Sequence, residues 1–474
     1  MSNNNDLSRR EFLGTTAAAM AVAGGINPHT SFLAEGGDTA AAVRLSPASI
    51  LVLYLAKPVP TWPRSDFKPQ DDIQRIRPML EGFEAKRQPA VKFTGHELLR
   101  VPDDLSRVQR TIQQADGLLL FNLTSSVMNL LDPLSDAGLP VVMFSQPYSG
   151  HDWSQWSKLL AKGRRVEVVA SSDFSDLETP LRVLAAQHHI RQSRVVCIRP
   201  DGHATALSSA LEKKFGAPIQ FVPFSRLQTL YDATDRQVAQ RDAAVFMKAA
   251  LKVVEPKPVE VAESFRLYYA IQKLIQEEQA NAITIDCLGG FHRGDLPAYP
   301  CVAWSKLNDH GLYGVCESDL QSTFTQMLFT YYSGKPGFVS DPVIDTRTNT
   351  VIHAHCVCAT RLDGLNHPPV PYIVRSHMED NKGVSMQVKW RLGQIVTVAK
   401  LADAETLLVS TGKVTDSPNL PRGCRTKVAT QVVDASKMLM NYSGDLHRVL
   451  FYGDHQRAAH QMGRLLGLKV VEET

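Results

Sequence analysis

A rhythm of short apolar runs separated by helical stretches sets the strongest limit on how this chain folds. ASILVLYLA (48–56) is apolar enough to be covered on both faces, which is how a central strand of a parallel sheet reads. A polar helical stretch around 71–83 follows, then AVKFTG (90–95) as a second strand. Residues 106–114 have helical spacing, and ADGLLLFNLTSS (115–126) is a strand ending in small and polar side chains. VMNLLDPLSDAG is helical, while LPVVMFSQP (139–147) and VEVVASSDF (166–174) are further strands. Strands that alternate with helices pair in parallel, with the helices on both sheet faces.

The same rhythm restarts near Leu181. SRVVCI (193–198) is a strand, ATALSSALEKKFG a helix stopped by Gly216, and PIQFVPF the next strand. Helix signals cover 232–280, broken by Pro256 and Pro258, and NAITIDCLGG (281–290) gives a strand and a glycine turn. The loop RPDGHATAL lacks the lysine of a phosphate loop and the glycines of a dinucleotide fingerprint, so it reads as a plain strand–turn–helix.

From about Pro300 the pattern changes. VIHAHCVCAT, YIVRSH, VSMQVKW, IVTVAKL, ETLLVSTGKV and CRTKVATQV are short strands divided by turn residues, which suggests a mostly antiparallel, barrel-like part. The chain closes as strand, helix, short strand. The 474 residues exceed one ordinary core. The expected division is a leader and linker over 1–45, Rossmann-like units over 46–178 and 179–299, and a mixed α/β unit over 300–474. The fold class is thus α/β, with two parallel-sheet units ahead of the β-rich one.

The leader has its own chemistry. SRREFLG places Arg9 beside Arg10, and FLGTTAAAMAVAGGI after it is too short and too rich in Ala and Gly for a stable membrane anchor. Ser-Arg-Arg-x-Phe-Leu resembles the twin-arginine (Tat) export signal, which implies the Tat machinery as a partner and a periplasmic location. Net charge is +3 without a Lys/Arg block, which argues against nucleic acid as a partner. Seven cysteines, an odd number in a large chain, do not make a disulfide scaffold and read as buried thiols.

The residues with chemical potential gather in the third region. Glu317 and Asp319 in CESDL open the helical LQSTFTQMLFTYYSG, and Asp341 lies 24 residues beyond Glu317, at the expected end of a strand. A helix followed by a strand can return Asp341 to Glu317. His353, His355, His377, His447 and His455 follow. Singly, each has an ordinary structural reading: a helix-start Glu as a cap, an Asp before Pro as a turn residue, a His beside a strand as surface. Together, carboxylates and imidazoles suit Mn²⁺ or Mg²⁺ better than thiolate-seeking metals.

CESDLQSTFTQMLFTYYSGKPGFVSDPV and GDLHRVLFYGDHQRAAHQMGRLLGLKVV resemble the L-fucose isomerase and L-arabinose isomerase group. The resemblance covers about 48–474 and is strongest in the third region. It implies a metal-dependent aldose–ketose isomerase that moves a proton between C1 and C2 of a sugar through an ene-diol. Carried onto this chain, it implies Glu317, Asp341 and His447 as ligands of Mn²⁺ or another divalent cation, with Tyr452-Gly453 as marker and His355 as the match to a further ligand of L-arabinose isomerase. Glu317 and Asp341 would also be the catalytic acid–base pair. Asn122, Thr124, Gln146 and Trp62 at the strand ends, and Asp286, Arg375 and His377, are the candidate sugar contacts. The resemblance also implies a homo-oligomer, a trimer or hexamer. The alternatives are an exported, non-catalytic sugar-binding relative on the same scaffold, and a zinc hydrolase using the HxHCxC run, which no HExxH or CxxC supports.

Within VIHAHCVC, strand alternation sends His353 and His355 to one face and Cys356 and Cys358 to the other. A regular strand cannot offer both sets to one tetrahedral ion. His355 is therefore the member of this run expected at the metal, with the cysteines as packing.

Overall fold

The structure, a computed structural model, describes residues 45–86 and 90–474. The twin-arginine motif lies outside the described residues. Among the described residues no helix is long and apolar enough to cross a membrane.

The first sheet holds β1 (Ala48–Leu55), β2 (Val91–Leu99), β3 (Gly117–Asn122), β4 (Val141–Ser145) and β5 (Val166–Ala170) in the order β2-β1-β3-β4-β5, all parallel. Every residue of β3 and β4 is buried, as the uninterrupted apolar runs require. The second unit repeats the design. β6 (Val195–Ile198), β7 (Ile219–Val222), β9 (Ala282–Ile285) and β10 (Tyr313–Cys316) form a parallel sheet ordered β10-β9-β6-β7. The short strand between them, β8 (Lys252–Val253), belongs elsewhere. In both sheets the order reverses beside the first strand, between β1 and β3 and between β6 and β9. This is where a parallel sheet opens a crevice beyond its strand C-termini.

CLGG, expected as a turn, opens a short helix, Cys287–Arg293. Asp286 caps it by accepting from Gly289 N–H at 3.3 Å. A Cβ on Gly289 would stand 2.3 Å from that carboxylate, so the glycine makes room for the cap rather than for a turn.

The third region builds a closed barrel. β11 (Phe338–Asp345), β12 (Thr350–His355), β15 (Ile395–Leu401), β16 (Thr406–Asp416), β17 (Thr426–Gln431) and β18 (Arg448–Tyr452) run β15-β18-β11-β12-β17-β16, and β16 pairs back to β15. All six contacts are antiparallel. β19 (Lys469–Glu472) adds in parallel outside β16. The two remaining strands of the region, β13 (Tyr372–Arg375) and β14 (Ser385–Val388), leave the barrel and form a small sheet ordered β14-β13-β8. A continuous body of buried apolar side chains links β1, the second sheet and the barrel, so the units share one core. The second sheet also takes its edge strand, β10, from residues beyond 300.

Candidate metal centre and active site

The site forms where the C-terminal edge of the second sheet meets the barrel. β10 ends at Cys316, and the next two residues, Glu317 and Ser318, both adopt left-handed backbone, with φ of 65° and 54°. Each such residue costs about 1–2 kcal/mol without glycine. Three hydrogen bonds hold the turn in place. Ser318 N–H donates to Ile285 O at 3.0 Å, and Asp319 N–H to Cys316 O at 3.2 Å. Ser318 Oγ donates to Ile198 O at 3.1 Å. Asp319 then caps the helix Leu320–Ser333 by accepting from Ser322 N–H at 2.8 Å. The cap is thus Asp319, and the Glu317 side chain is released to face the barrel, 34% exposed.

The barrel supplies the opposing groups. β11 and β18 are in register from Phe338↔Leu450 to Ser340↔Arg448, so Asp341 and His447 stand one step beyond the last pair. His355 is the last residue of β12. Asp341 lies inside β11 rather than at its end, because the strand continues through Pro342. Of β11, only Phe338–Ser340 pair with β18, so Pro342 sits where β11 has one neighbour, the kind of position where a missing N–H is tolerated.

His447 is the centre of the cluster. Its Nδ1–H donates to Asp319 Oδ2 at 2.9 Å. Its Nε2 is 3.6 Å from Glu317 Oε2 and 3.3 Å from Asp341 Oδ1, and is buried without a hydrogen-bond partner. Behind it, the fully buried Lys400 donates to Asp319 Oδ2 at 2.6 Å and to Ser322 Oγ at 2.9 Å. Burial alone would raise the Asp319 pKa, but Lys400 and His447 outweigh it and hold the carboxyl well below its usual range. Burial likewise opposes charge on His447, yet the Asp319 hydrogen bond and the close Asp341 carboxylate prevail and raise it to about 10. Burial would also raise Asp341, but the close His447 imidazole keeps it lowered.

His355 is set differently. Its Nδ1 accepts the Cys356 backbone N–H at 2.8 Å, while its Nε2 is buried without a partner, 4.0 Å from Glu317 Oε1. The two imidazole rings lie 5.3 Å apart. Burial lowers the His355 pKa.

Ligand-type atoms of Glu317, His355 and His447 fall within 4.8 Å of one another, as do those of Asp341, His355 and Cys424. Cys424 Sγ is 4.0 Å from Asp341 Oδ2. Of the VIHAHCVC run only His355 enters either group. Cys356 and Cys358 lie past the end of β12, so burial rather than alternation accounts for them, and all seven cysteines are buried free thiols. His353 turns to Ser340 and Thr430, each 3.2 Å away. The donor set fits a divalent cation: two part-exposed carboxylates converge on an imidazole nitrogen whose tautomer is fixed from behind.

The other expected contacts have protein partners of their own, and Asp286 stands beside Glu317, one step beyond the Ile285↔Cys316 pair. Asp286 caps its helix and pairs with Arg293 at 3.1 Å. Arg375 makes a two-pronged pair with Glu255 and donates to Gln387. His377 stacks on Tyr299 at 5.0 Å and lines a cavity of about 530 Å³ with Glu260, Glu263, Tyr299, Asp380 and Lys382. Asn122 and Gln146 mark the ends of β3 and β4 in the first sheet. Asn122 is buried against Gly150, and Gln146 accepts from Arg75. Thr124 accepts from Lys57 N–H. Asp319 and Lys400 were not among the expected site residues. The signal for Lys400 is a lysine inside an otherwise apolar strand, IVTVAKL.

No family model matches the chain. It is similar to a sulfoquinovose isomerase of Clostridium sp. (strain MSTE9), 26% identical over 267 residues, covering 53% of this chain and 58% of that protein. It is also similar to a sulfoquinovose isomerase of Alkalicoccus urumqiensis, 24% identical over 209 residues, covering 43% of this chain and 46% of that protein. The chain spans about half the length of the curated relatives it matches.

Proposed function

We propose that the protein is a metal-dependent aldose–ketose isomerase of the L-fucose isomerase type, with Glu317, Asp341 and His447 holding Mn²⁺ or a similar cation. The observation that carries this reading is the buried, unpartnered His447 Nε2 facing two carboxylates. Similarity to two sugar isomerases supports it. A bound divalent cation supplies charge that polarises a sugar carbonyl and stabilises a developing oxyanion. The remaining work falls to the chain. Asp319 and Lys400 fix His447 by its far nitrogen, so the site keeps its shape before anything binds. Glu317 and Asp341 approach from different elements, each about one-third exposed, and can reach an entering sugar. One carboxylate takes the proton from the carbon beside the carbonyl and returns it to the former carbonyl carbon, while the hydroxyl proton passes from one oxygen to the other, so that an ene-diol lies between aldose and ketose. The half-buried setting excludes bulk water from that exchange.

The names of the relatives make sulfoquinovose the first sugar to try, beside neutral pentoses, hexoses and deoxysugars. The reading includes a homo-oligomer, trimer or hexamer, with sites near subunit boundaries, and export by the twin-arginine route to the periplasm. The resemblance and the Arg9–Arg10 motif support these parts; light scattering and fractionation of an R9K/R10K variant test them. The central test is interconversion across the sugar panel with Mn²⁺, Mg²⁺ or Co²⁺ supplied after chelation. Turnover of at least one sugar, lost in Glu317→Gln, is expected. Tight Mn²⁺ binding without isomerisation of any sugar would instead favour the exported sugar-binding relative.

A further inference from the structure

The two imidazoles of the site use Nδ1 in opposite ways, His447 as a donor and His355 as an acceptor. A neutral imidazole carries one proton, and its neighbours decide which nitrogen bears it. His447 Nδ1 faces Asp319, an ionised acceptor, so Nδ1 keeps its proton and Nε2 is the nitrogen that gives one up when a cation binds. His355 Nδ1 faces the Cys356 backbone N–H at 2.8 Å. A backbone N–H can only donate, so Nδ1 must be the bare nitrogen and the proton sits on Nε2.

We infer that His355 is the site's hydrogen-bond donor rather than a ligand of its cation, with Nε2–H reserved for an oxygen of the bound sugar at the reacting carbons. This rests on the isomerase reading above, and it replaces the ligand role that the resemblance to L-arabinose isomerase implies. Nε2 lacks any protein acceptor although His355 is only 5% exposed, and Glu317 Oε1 at 4.0 Å is beyond hydrogen-bond reach. A buried donor left unmade costs about 1–3 kcal/mol, a cost removed when an acceptor arrives with the substrate. Turning His355 into an Nε2 ligand would move its proton to Nδ1, set two N–H groups against each other and forfeit the Cys356 bond. In its observed state the ring offers a neutral N–H to the oxygen on which negative charge grows as the ene-diol forms, a contact stronger in the transition state than in the ground state.

The test separates binding of the cation from turnover. Mn²⁺ titration of His355→Leu should leave the Kd close to that of the unaltered protein, whereas His447→Leu should lose more than the roughly 10- to 100-fold typical of removing a partner behind a ligand. Turnover in His355→Leu should fall by about 10²–10³-fold, the usual loss for one oxyanion donor. His355→Gln, whose amide N–H lies near the place of Nε2, should regain at least a tenth of the original kcat. Loss of Mn²⁺ affinity in His355→Leu equal to that in His447→Leu overturns the inference, and so does unchanged kcat. Imidazole ¹⁵N spectra of the unaltered, Mg²⁺-loaded protein need no variant: a proton on Nε2 of His355 is expected, and one on Nδ1 refutes the proposal. If the unaltered protein isomerises no sugar, the isomerase reading fails, while the titrations and spectra still decide whether His355 is a ligand.

Discussion

Behind His447, Asp319 Oδ2 takes both the imidazole N–H and the Lys400 ammonium, Oδ1 caps a helix, and Lys400 also reaches Ser322. In front of it, Glu317 and Asp341 are about one-third exposed and the Nε2 atoms of His447 and His355 have no partner. The back is dry and internally satisfied; the front keeps bonds in reserve. That contrast is what a site for a small polar ligand needs. Groups that must not move are paired within the protein, and groups that must bind are held close but left unmade.

The contrast can be broken at the front first. Glu317→Gln removes a charge without removing bulk, and should cut kcat by about 10²–10⁴-fold, the usual contribution of a positioned acid–base group, while the urea unfolding midpoint stays close to that of the unaltered protein. Breaking the back should do the reverse. Lys400→Met leaves the Asp319 carboxylate buried with half its charge partners, and should cost about 3–5 kcal/mol in urea unfolding, the scale for an ion pair broken inside a protein.

A pH series on the metal-free protein sharpens the comparison further. Asp319 titrates lower in the folded chain than unfolded, so its stabilisation is complete above about pH 4 and fades as acid approaches the folded value. His447 titrates higher, at about 10 against 6.5, so its stabilisation is complete below about pH 6.5 and fades as pH rises to 10. Unfolding in chelator should therefore show a decline in stability between pH 7 and 9, and His447→Gln should flatten it. Stability that rises across that interval would contradict the assignment. The smallest effect is expected at Gln146, held by Arg75 at the rim of the first sheet: Gln146→Ala should leave kcat and KM within about twofold, and a larger rise in KM would make it the sugar contact the resemblance implies.

Much of this architecture is legible as pattern. Uninterrupted apolar runs give the parallel strands, and turn-bounded short strands give the barrel. What pattern does not convey is which of two acids does which job. Glu317 and Asp319 both read as helix openers, since either can satisfy free N–H groups. Their roles separate only because Glu317 and Ser318 are left-handed, and that conformation is imposed by bonds to Ile198 and Ile285, which are distant in sequence. Asp341, ahead of Pro342, reads as a strand end. The strand runs on because its partner on one side stops at Ser340. Lys400 was readable as an anomaly, a charge inside an apolar strand, but the group it answers lies 81 residues away. Asp286 and Arg375 are occupied within the protein, Asp286 by its own short helix and Arg375 by Glu255, 120 residues away.

The position of β18 has a consequence for the order of events on the ribosome. It is the last of the six barrel strands in sequence, and it fills the gap between β11 and β15. Until it is made, the wall stays open and two strands lack a neighbour. His447, immediately before β18, emerges with it. A nascent chain can therefore build both parallel sheets and still be chemically silent, acquiring its completed wall and its central imidazole in one late step.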